Sequence, residues 1–245
     1  MGELIAFLSG KGGTGKSSLC AGIATALAAD GAKVLCIDCD VGLRNLDITL
    51  ALSSSCAPSF MEVYQGDYTL EQAAVHPAFP RLHFLTSPIF CNPEEIDADA
   101  FGAMLRQARW HYDYILLDAP AGVTDSFRLA AAHADKVILV TVTDPASIRD
   151  AARTAQLLEL KGKRDIRLIV NRINEDIYEA VRYTVDDVID RTGVQLLGIV
   201  PEDSRVVLAA AFEKPLLDYG KKGAAGACRR IAKRIQGYSV PVSIK

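Results

Sequence analysis

Short apolar runs alternate with longer, alanine-rich segments along almost the whole chain. The apolar runs do not alternate with polar residues, so they predict strands buried on both faces, as parallel strands are. Strands are predicted at 2–8, 33–38, 82–86, 114–118, 136–142, 166–171 and 195–200. Helices are predicted between them at 16–30, 94–110, 125–133, 147–160, 177–192 and 221–236.

This alternation predicts the α/β class, with a doubly wound, mostly parallel sheet of about seven or eight strands and helices on both faces. The 245 residues contain no repeat and no linker, so we expect a single domain over 1–245. Right-handed crossovers would bring the loops that follow the strands to one edge of the sheet. Ligands of such sheets bind at that edge.

A glycine-rich loop follows the first predicted strand. Residues 10–17 match G-x-x-x-x-G-K-[ST], the P-loop pattern, in the strand–loop–helix context that this motif requires. Its backbone N–H groups and the helix N-terminus favour an anion. We expect Lys16 to reach the β- and γ-phosphates and Ser17 to bind Mg²⁺. The predicted nucleotide contacts in this loop are Gly10, Lys11, Gly12, Gly13, Thr14, Gly15, Lys16, Ser17 and Ser18.

The loop carries a second lysine, Lys11. Because the loop already wraps the phosphates, Lys11 cannot easily fold back onto the nucleotide of its own subunit. It could instead cross a two-fold interface and neutralise charge on the partner's nucleotide, as an arginine finger does in trans. A solvated loop lysine is the alternative, and loop chemistry alone does not decide between the two.

Carboxylates end two neighbouring predicted strands. Asp38 and Asp40 close the second strand, where alternation puts both on one face. Asp118 follows four apolar residues, which is the Walker-B pattern of a metal-directed aspartate. One carboxylate can order Mg²⁺ while another positions the attacking water. For Asp38 and Asp40, the alternative is a pair that only caps the next turn.

Two further loops end strands at the same predicted edge. Asn171 and Arg172 follow the sixth strand, and Pro201, Glu202 and Asp203 follow the seventh. Their polar groups could frame an adenine, although ordinary turn residues are an equally good interpretation.

Composition and net charge limit the classes of protein to which this chain could belong. The net charge of −3 does not support a protein that coats nucleic acid over its whole surface. The six cysteines are scattered and residues 1–9 lack the features of a secretory signal, so we expect free thiols in a reducing cytoplasm. Cys36 and Cys39 should face opposite sides of the sheet, which argues against a shared redox or metal role. No apolar run is long enough to span a membrane.

Together these motifs resemble the MinD family, the cell-division-site ATPases related to ParA, from residue 4 to about residue 241. The most specific segment is 38–47 (DCDVGLRNLD), which resembles the first switch of MinD and not that of ParA proteins. Segments 64–67, 118–122 and 199–203 are also MinD-like. The resemblance implies a spatial regulator that binds and hydrolyses ATP with Mg²⁺, forms an ATP-dependent homodimer and signals to partners.

The resemblance also implies roles for individual residues. Lys11 would contact phosphate from the opposite subunit, and Asp40 would orient the lytic water. Asp38 and Asp118 would support the metal shell around Ser17. Asn171 and the 201–203 loop would hold the adenine. Asp150 matches a region where family members contact a division-inhibitor partner.

MinD proteins typically continue into a basic amphipathic helix that inserts into the membrane, whereas this sequence ends at 240–245 without one. We therefore expect a cytoplasmic location, with peripheral association at the inner face of the membrane left open. The segment 228–235 is itself amphipathic, but a helix that closes an α/β domain usually packs its apolar side on the sheet.

Two other classes remain as alternatives. A flagellar-number or partition ATPase is the first, and partition would require a basic DNA-binding surface. Lys161, Lys163, Arg164 and Arg167 form only a modest cluster, so DNA binding is not expected. A small-molecule ligase or iron–sulfur carrier is the second. The C-terminal region lacks a C-x-x-C for a shared cluster, and the switch segment differs from that of a ligase.

Overall fold

The computed structural model describes residues 1–41, 44–174 and 184–243, and these contain one eight-stranded sheet. The strands are β1 (Glu3–Leu8), β2 (Val34–Asp38), β3 (Ala74–Val75), β4 (Leu82–Leu85), β5 (Tyr114–Asp118), β6 (Lys136–Thr141), β7 (Ile166–Ile173) and β8 (Gln195–Pro201). Their order across the sheet is β3-β4-β2-β5-β1-β6-β7-β8. All neighbouring strands are parallel except β3 and β4. The predicted fold class is confirmed.

Helices cover both faces of this sheet. They are α1 (Lys16–Ala29), α2 (Leu46–Thr49), α3 (Phe60–Gln65), α4 (Ala98–His111), α5 (Asp125–His133), α6 (Pro145–Leu160), α7 (Val185–Thr192), α8 (Ser204–Ala211) and α9 (Gly223–Ile235). Single 3₁₀ turns lie at Leu70–Gln72, Pro93–Glu95 and Leu216–Tyr219.

The sheet separates two apolar cores. Along β1, Leu4, Ala6 and Leu8 pack on one face, while Ile5 and Phe7 pack on the other. None of these side chains is more than 1% exposed. Neither face of such a strand meets water, so its sequence is an unbroken apolar run. The alternation of its side chains between the two faces therefore leaves no pattern of apolar and polar residues.

Several helix boundaries differ from those predicted. Helix α6 begins at Pro145 instead of 147, because Asp144 accepts hydrogen bonds from the N–H groups of Ala146 and Ser147. Helix α4 begins at 98 instead of 94, because the Asp97 carboxylate caps it. The predicted helix 177–192 is seen from α7 onward, and its residues 177–183 lie outside the described residues.

The prediction missed four short elements, namely α2, α3, α8 and β3. None is long enough to display a helical or strand period. Helix α3 did carry a local signal, because Ser59 and Glu62 form a capping box and Gly66 ends the helix at a φ of 89°. That signal was overlooked.

Helix α9 closes the domain against α1 and β8. Cys228, Ile231 and Ile235 are buried along its inner face. Gly198 of β8 lies beneath it, and a Cβ at that position would come within 2.5 Å of Ile231 Cγ1. The expectation that the apolar side of segment 228–235 packs on the sheet is confirmed.

The cysteines also lie as expected. Cys36 and Cys39 belong to different cores on opposite faces of the sheet, and all six thiols are unpaired. Within the described residues, no helix combines the length and the apolar character needed to cross a membrane.

The burial of α9 can be tested by truncation. Ile231→Ala should lower the free energy of unfolding by about 2–5 kcal/mol, because it leaves a cavity between α9 and β8. Lys233→Ala on the same helix removes a partly exposed ion pair with Asp30 and a cation–π contact with Tyr238, and should cost about 1 kcal/mol. Urea unfolding of both variants makes the comparison. Equal losses would mean that Ile231 is not a core residue.

Candidate functional site

Helix α1 begins at the end of the glycine-rich loop. Its N-cap residue is Gly15, whose φ is 83°, and Gly13 has a φ of 79°. Glycine adopts both values without strain. Because glycine has no side chain to cap the first turn, the N–H groups of that turn are available to an anion.

A cavity of about 620 Å³ opens over this loop. Gly12 and Gly13 border open space, since a Cβ on either would meet nothing within 4 Å. The loop backbone is therefore accessible to a group as large as a phosphate. The cavity is lined by Ser9, Gly12, Gly13, Thr14, Gly15, Lys16, Ser17, Ser18, Asp40, Asn45, Thr49, Pro120, Ala121, Thr124 and Arg172.

A second cavity of about 330 Å³ shares Gly15, Ser18 and Arg172 with the first. All five residues predicted to frame an adenine line it, namely Asn171, Arg172, Pro201, Glu202 and Asp203. Apolar side chains complete its walls, among them Leu19, Val200, Val206 and Leu216. The two cavities together join a polar end at the loop to a more apolar end, which suits the phosphates and base of a nucleotide.

Asn171 holds the glycine-rich loop in place. Its Nδ2 donates a hydrogen bond to the Thr14 carbonyl at 2.8 Å. Strand β7 runs two residues beyond its predicted end, to Ile173, and its pairing with β8 becomes irregular after Val170. Arg172 has a φ of 53° within that irregular stretch and is exposed beside the cavity.

Asp203 has a structural use that the sequence did not reveal. Its carboxylate accepts hydrogen bonds from the N–H of Arg205, which caps α8, and from the N–H of Ala224 at the start of α9. Burial acts to raise the pKa of Asp203, but the Arg205 guanidinium and these hydrogen bonds outweigh it and keep that pKa below its usual range. The 201–203 loop is therefore fixed to two helices.

Lys16 lies inside the protein, where its ammonium group pairs with the Asp118 carboxylate. Both side chains are almost fully buried, at 7% and 2% exposure. A buried ion pair is costly to break by removing one partner, because the other charge is left without compensation. A phosphate is one of the few groups that can replace the carboxylate as the partner of Lys16 without that cost.

Asp38 and Asp118 lie directly across from each other on the paired strands β2 and β5. Burial raises the pKa of Asp38 to about 7, and repulsion from Asp118 adds to that rise. Burial also raises the pKa of Asp40, against the lowering effect of Lys16. Adjacent buried carboxylates of this kind are stabilised by a cation.

The side chains available as ligands suit a magnesium ion that also binds the phosphates of a nucleotide. In the described part of the chain, no three His, Cys, Asp or Glu side chains are arranged to hold a metal by themselves. Mg²⁺ commonly takes one or two carboxylates and completes its shell with water and substrate phosphates. Near the loop, Ser9 Oγ and Thr14 Oγ1 are buried without a hydrogen-bond partner. The site therefore has unused polar groups of its own.

Asp38 also organises the segment that follows β2. Its carboxylate accepts hydrogen bonds from the N–H groups of Asp40, Asn45 and Leu46. The hydrogen bonds expected if Asp38 caps the next turn are therefore present. Asp40 is half-buried and lines the large cavity, whereas Asp38 does not. Gly42 and Leu43 lie outside the described residues.

Lys11 is exposed and lines neither cavity. Its Nζ is 3.6 Å from Asp144 Oδ1, and both side chains are nearly half exposed. Exposed ion pairs of this kind contribute about 1 kcal/mol or less, so Lys11 can leave Asp144 at little cost. Gly10 also lies outside the cavities, because it passes close to α6: a Cβ there would come within 2.7 Å of the Asp150 backbone.

The sequence analysis missed several residues that the structure places at the site. Asn45, Thr49 and Thr124 line the large cavity, and Asp144 holds Lys11. Asn45 lies in the MinD-like segment and could have been found there. Asp144 gave a helix-start signal, as aspartate before proline, but nothing in the sequence placed it beside Lys11.

The chain is similar to known nucleotide-binding proteins over most of its length. Residues 5–216 match the family model described as the CobQ/CobB/MinD/ParA nucleotide binding domain. The septum site-determining protein MinD of Synechocystis is 34% identical over 98% of this chain and 92% of its own length. The chain belongs to the MinD family.

Solved MinD structures share the fold described above. MinD in the MinC:MinD cell division protein complex of Aquifex aeolicus superposes with a TM-score of 0.91 at 35% identity, covering 98% of each chain. MinD of Pyrococcus horikoshii, solved with Mg-ADP, superposes with a TM-score of 0.83 at 26% identity, covering 96% of each chain. The predicted resemblance to the MinD family is confirmed.

Gly15 offers a test of how tightly the loop is held. In Gly15→Ala the new Cβ would lie 2.3 Å from Asn171 Nδ2 at a φ of 83°, so Asn171 must leave Thr14. We expect a loss of roughly 2 kcal/mol or more in stability, with weakened nucleotide binding. Gly31→Ala is the matched control, because its φ is 95° but its surroundings are open. Gly31→Ala should lower the free energy of unfolding by about 1 kcal/mol. Calorimetric binding and unfolding of both variants separate backbone strain from the close contact.

Proposed function

We propose that this protein is an ATP-hydrolysing spatial regulator of the cell-division type, which dimerises when it binds ATP and signals to a protein partner. The observation that carries the proposal is the separation of the two loop lysines. Lys16 is buried at the base of the cavity, while Lys11 is exposed outside it on a weak ion pair. A loop that needed both lysines for its own nucleotide would place both in the cavity.

The phosphate end of ATP would lie in the large cavity. The N–H groups of Gly13, Thr14 and Gly15 and the start of α1 would face the phosphate oxygens. Lys16 would exchange Asp118 for the β- and γ-phosphates, so that its charge stays paired throughout. The adenine would occupy the second cavity, between Asn171 and the 201–203 loop.

The magnesium site would be formed by Ser17 with support from Asp38 and Asp118. When bound there with ATP, Mg²⁺ would neutralise charge that develops on the phosphates during transfer. The ion would also stabilise the ionised form of Asp38, which burial disfavours.

Asp40 is the residue that we assign to the attacking water. It lines the phosphate cavity and is only half-buried, so water reaches it. The raised pKa of its carboxyl group makes it a better proton acceptor than an ordinary exposed aspartate. Its backbone is fixed by the Asp38 carboxylate, which keeps the side chain at the cavity edge.

Lys11 would act in trans. Two subunits that meet at the carboxyl edges of their sheets would each direct Lys11 to the phosphates of the other. Hydrolysis then removes the γ-phosphate and with it the charge that attracts the partner's Lys11. The dimer is therefore a state that ATP maintains and hydrolysis ends.

The partner surface that we propose includes α6. The Aquifex aeolicus relative was solved in complex with MinC, a division protein. Asp150 lies on α6 immediately beside Gly10 of the loop. A partner on α6 would therefore be close to Lys11 and Asp144, and would respond to the nucleotide.

Two of the four residues in the modest basic cluster, Lys163 and Arg167, are engaged within the chain. Lys163 donates hydrogen bonds to the carbonyls of Ala132 and Ala134, and Arg167 pairs with Asp165. This arrangement favours the division-type role over DNA partition.

The trans role of Lys11 is tested by dimerisation. Lys11→Ala should remain monomeric with ATP, as measured by light scattering after gel filtration. Asp144→Asn frees Lys11 and retains an N-cap for α6, so it should lower the ATP concentration at half-dimerisation by up to about 5-fold. Dimers that persist in Lys11→Ala would remove the trans role.

The role of Asp40 is tested by turnover. Asp40→Ala should bind ATP and form the dimer, but hydrolysis should fall by about 10²-fold or more. Phosphate release measures the rate, and a fluorescent ATP analogue measures binding. Phe212→Ser is a control for general damage, because Phe212 is 65% exposed and lines neither cavity. A normal rate in Asp40→Ala would contradict the assignment.

A further inference from the structure

A groove lies between α3 and the loop that follows β4, outside the nucleotide cavities. It encloses about 330 Å³, and its walls include Arg44, Met61, Glu62, Thr86, Ile89 and Phe90. Phe90 is 98% exposed and Ile89 is 53% exposed. Two adjacent large apolar side chains at a loop tip leave apolar surface in water that a docked partner would cover.

The interior of the groove carries polar groups that lack partners. Thr86 is only 3% exposed, yet its Oγ1 has no hydrogen-bond partner among the described residues. Arg44 Nε is likewise buried and unpartnered. The nearest anion to the Arg44 guanidinium is Asp47 at 3.9 Å, which is too long for a hydrogen bond. Unpaired buried polar atoms are rare in folded proteins, and here two of them belong to residues that line one groove.

The charges of the groove indicate the chemistry of its occupant. Glu62 is the acidic residue among the lining residues, and its carboxylate already accepts hydrogen bonds from the N–H and hydroxyl of Ser59. Arg44 is the basic lining residue, and a guanidinium only donates. The missing partner is therefore an acceptor, best supplied by a carboxylate.

The groove is connected to the candidate catalytic residues both through the loop after β4 and through the neighbour of Arg44. Ser87 Oγ, next to Thr86, donates a hydrogen bond to the Asp40 carbonyl at 3.1 Å. Arg44 has a φ of 29°, an uncommon value for a residue with a side chain, and directly precedes Asn45, whose N–H is bound by Asp38. An occupant that binds Arg44 and presses on the loop at 86–90 would bear on both aspartates.

We propose that this groove is a docking site for a partner protein segment that carries a large apolar side chain beside a carboxylate, and that docking accelerates ATP hydrolysis through Asp40. The apolar side chain packs against Met61, Ile89 and Phe90, and the carboxylate pairs with Arg44. The regulatory half of this inference rests on the proposed function. A lipid surface is a poorer match, because interfacial loops combine apolar residues with several cations and this groove has a single arginine lining it.

The docking half is tested with a displayed library of random peptides selected on the ATP-bound protein. Enriched sequences should pair an aromatic or leucine residue with aspartate or glutamate. Fluorescence anisotropy of an enriched, labelled peptide should show about 10-fold or greater loss of affinity in Phe90→Ser and in Arg44→Gln. Phe212→Ser is the matched control, because Phe212 is also an exposed phenylalanine, at 65%, but does not line the groove.

Three outcomes would overturn the docking proposal. Selected peptides could be basic, or could bind Phe90→Ser as well as the parent protein. Co-sedimentation with anionic vesicles that depends on Phe90 would assign the loop to a lipid surface. Loss of the ATP-dependent dimer in Phe90→Ser would assign it to contact between two copies of the chain.

The regulatory half is read from the ratio of the ATPase rate with saturating peptide to the rate without it. This ratio should exceed one in the parent protein and in Phe212→Ser, and return to one in Phe90→Ser. A peptide that binds the groove and leaves the rate unchanged would overturn the coupling to Asp40. A parent protein that hydrolyses no ATP would instead refute the proposed function, while the anisotropy measurement would still decide whether the groove binds.

Discussion

Two buried carboxylates on adjacent parallel strands, Asp38 and Asp118, impose the strongest constraint on this structure. Each is about 1% exposed, and they pair in register across β2 and β5. Placing two such groups side by side in a low-dielectric interior is unfavourable unless positive charge or N–H donors surround them. Lys16 supplies the charge to Asp118, and three backbone N–H groups supply donors to Asp38. The phosphate loop and the segment after β2 are thereby drawn to the same edge of the sheet.

The two ion pairs made by the lysines of the phosphate loop differ in strength. Lys16 and Asp118 are held together by burial, so only another anion can separate them at acceptable cost. Lys11 and Asp144 meet in solvent, where an ion pair contributes little. The same loop thus carries one lysine that is buried with its carboxylate partner and one that can leave its partner at little cost. This difference follows from exposure alone, since the two side chains are chemically identical.

A few hydrogen bonds to the backbone tie the lining of the two cavities to neighbouring elements. Asn171 fixes the phosphate loop to β7, and Asp203 fixes the 201–203 loop to α8 and α9. The Asp38 carboxylate accepts a hydrogen bond from the N–H of Asn45, the residue after Arg44. The Ser87 hydroxyl donates to the Asp40 carbonyl and so attaches the loop that bears Phe90. Each of these bonds involves a residue that lines one of the two cavities. An occupant of the cavities would therefore lie close to each of these contacts.

The fold class, the phosphate loop and the family could be predicted from the sequence, because these depend on local signals. Buried parallel strands leave continuous apolar runs, and a phosphate loop needs its glycines, lysine and serine at fixed spacing within ten residues or so. The sequence also predicted that Asn171 and residues 201–203 lie together at one edge of the sheet, because parallel strands carry their loops to one edge. It could not show that Asp203 is a helix cap, since Ala224 is distant in the chain and reaches it only through packing.

Only the tertiary structure decided which charges meet. Lys11 and Asp144, Lys16 and Asp118, and Arg44 and the loop bearing Phe90 are each separated by tens of residues or more, and no spacing rule relates them. The short elements α2 and α8 were equally hidden, because they are too brief for a period and are stabilised by their neighbours. Local sequence patterns specify which groups reach the edge of the sheet, and the packing of the whole chain specifies which of them pair there.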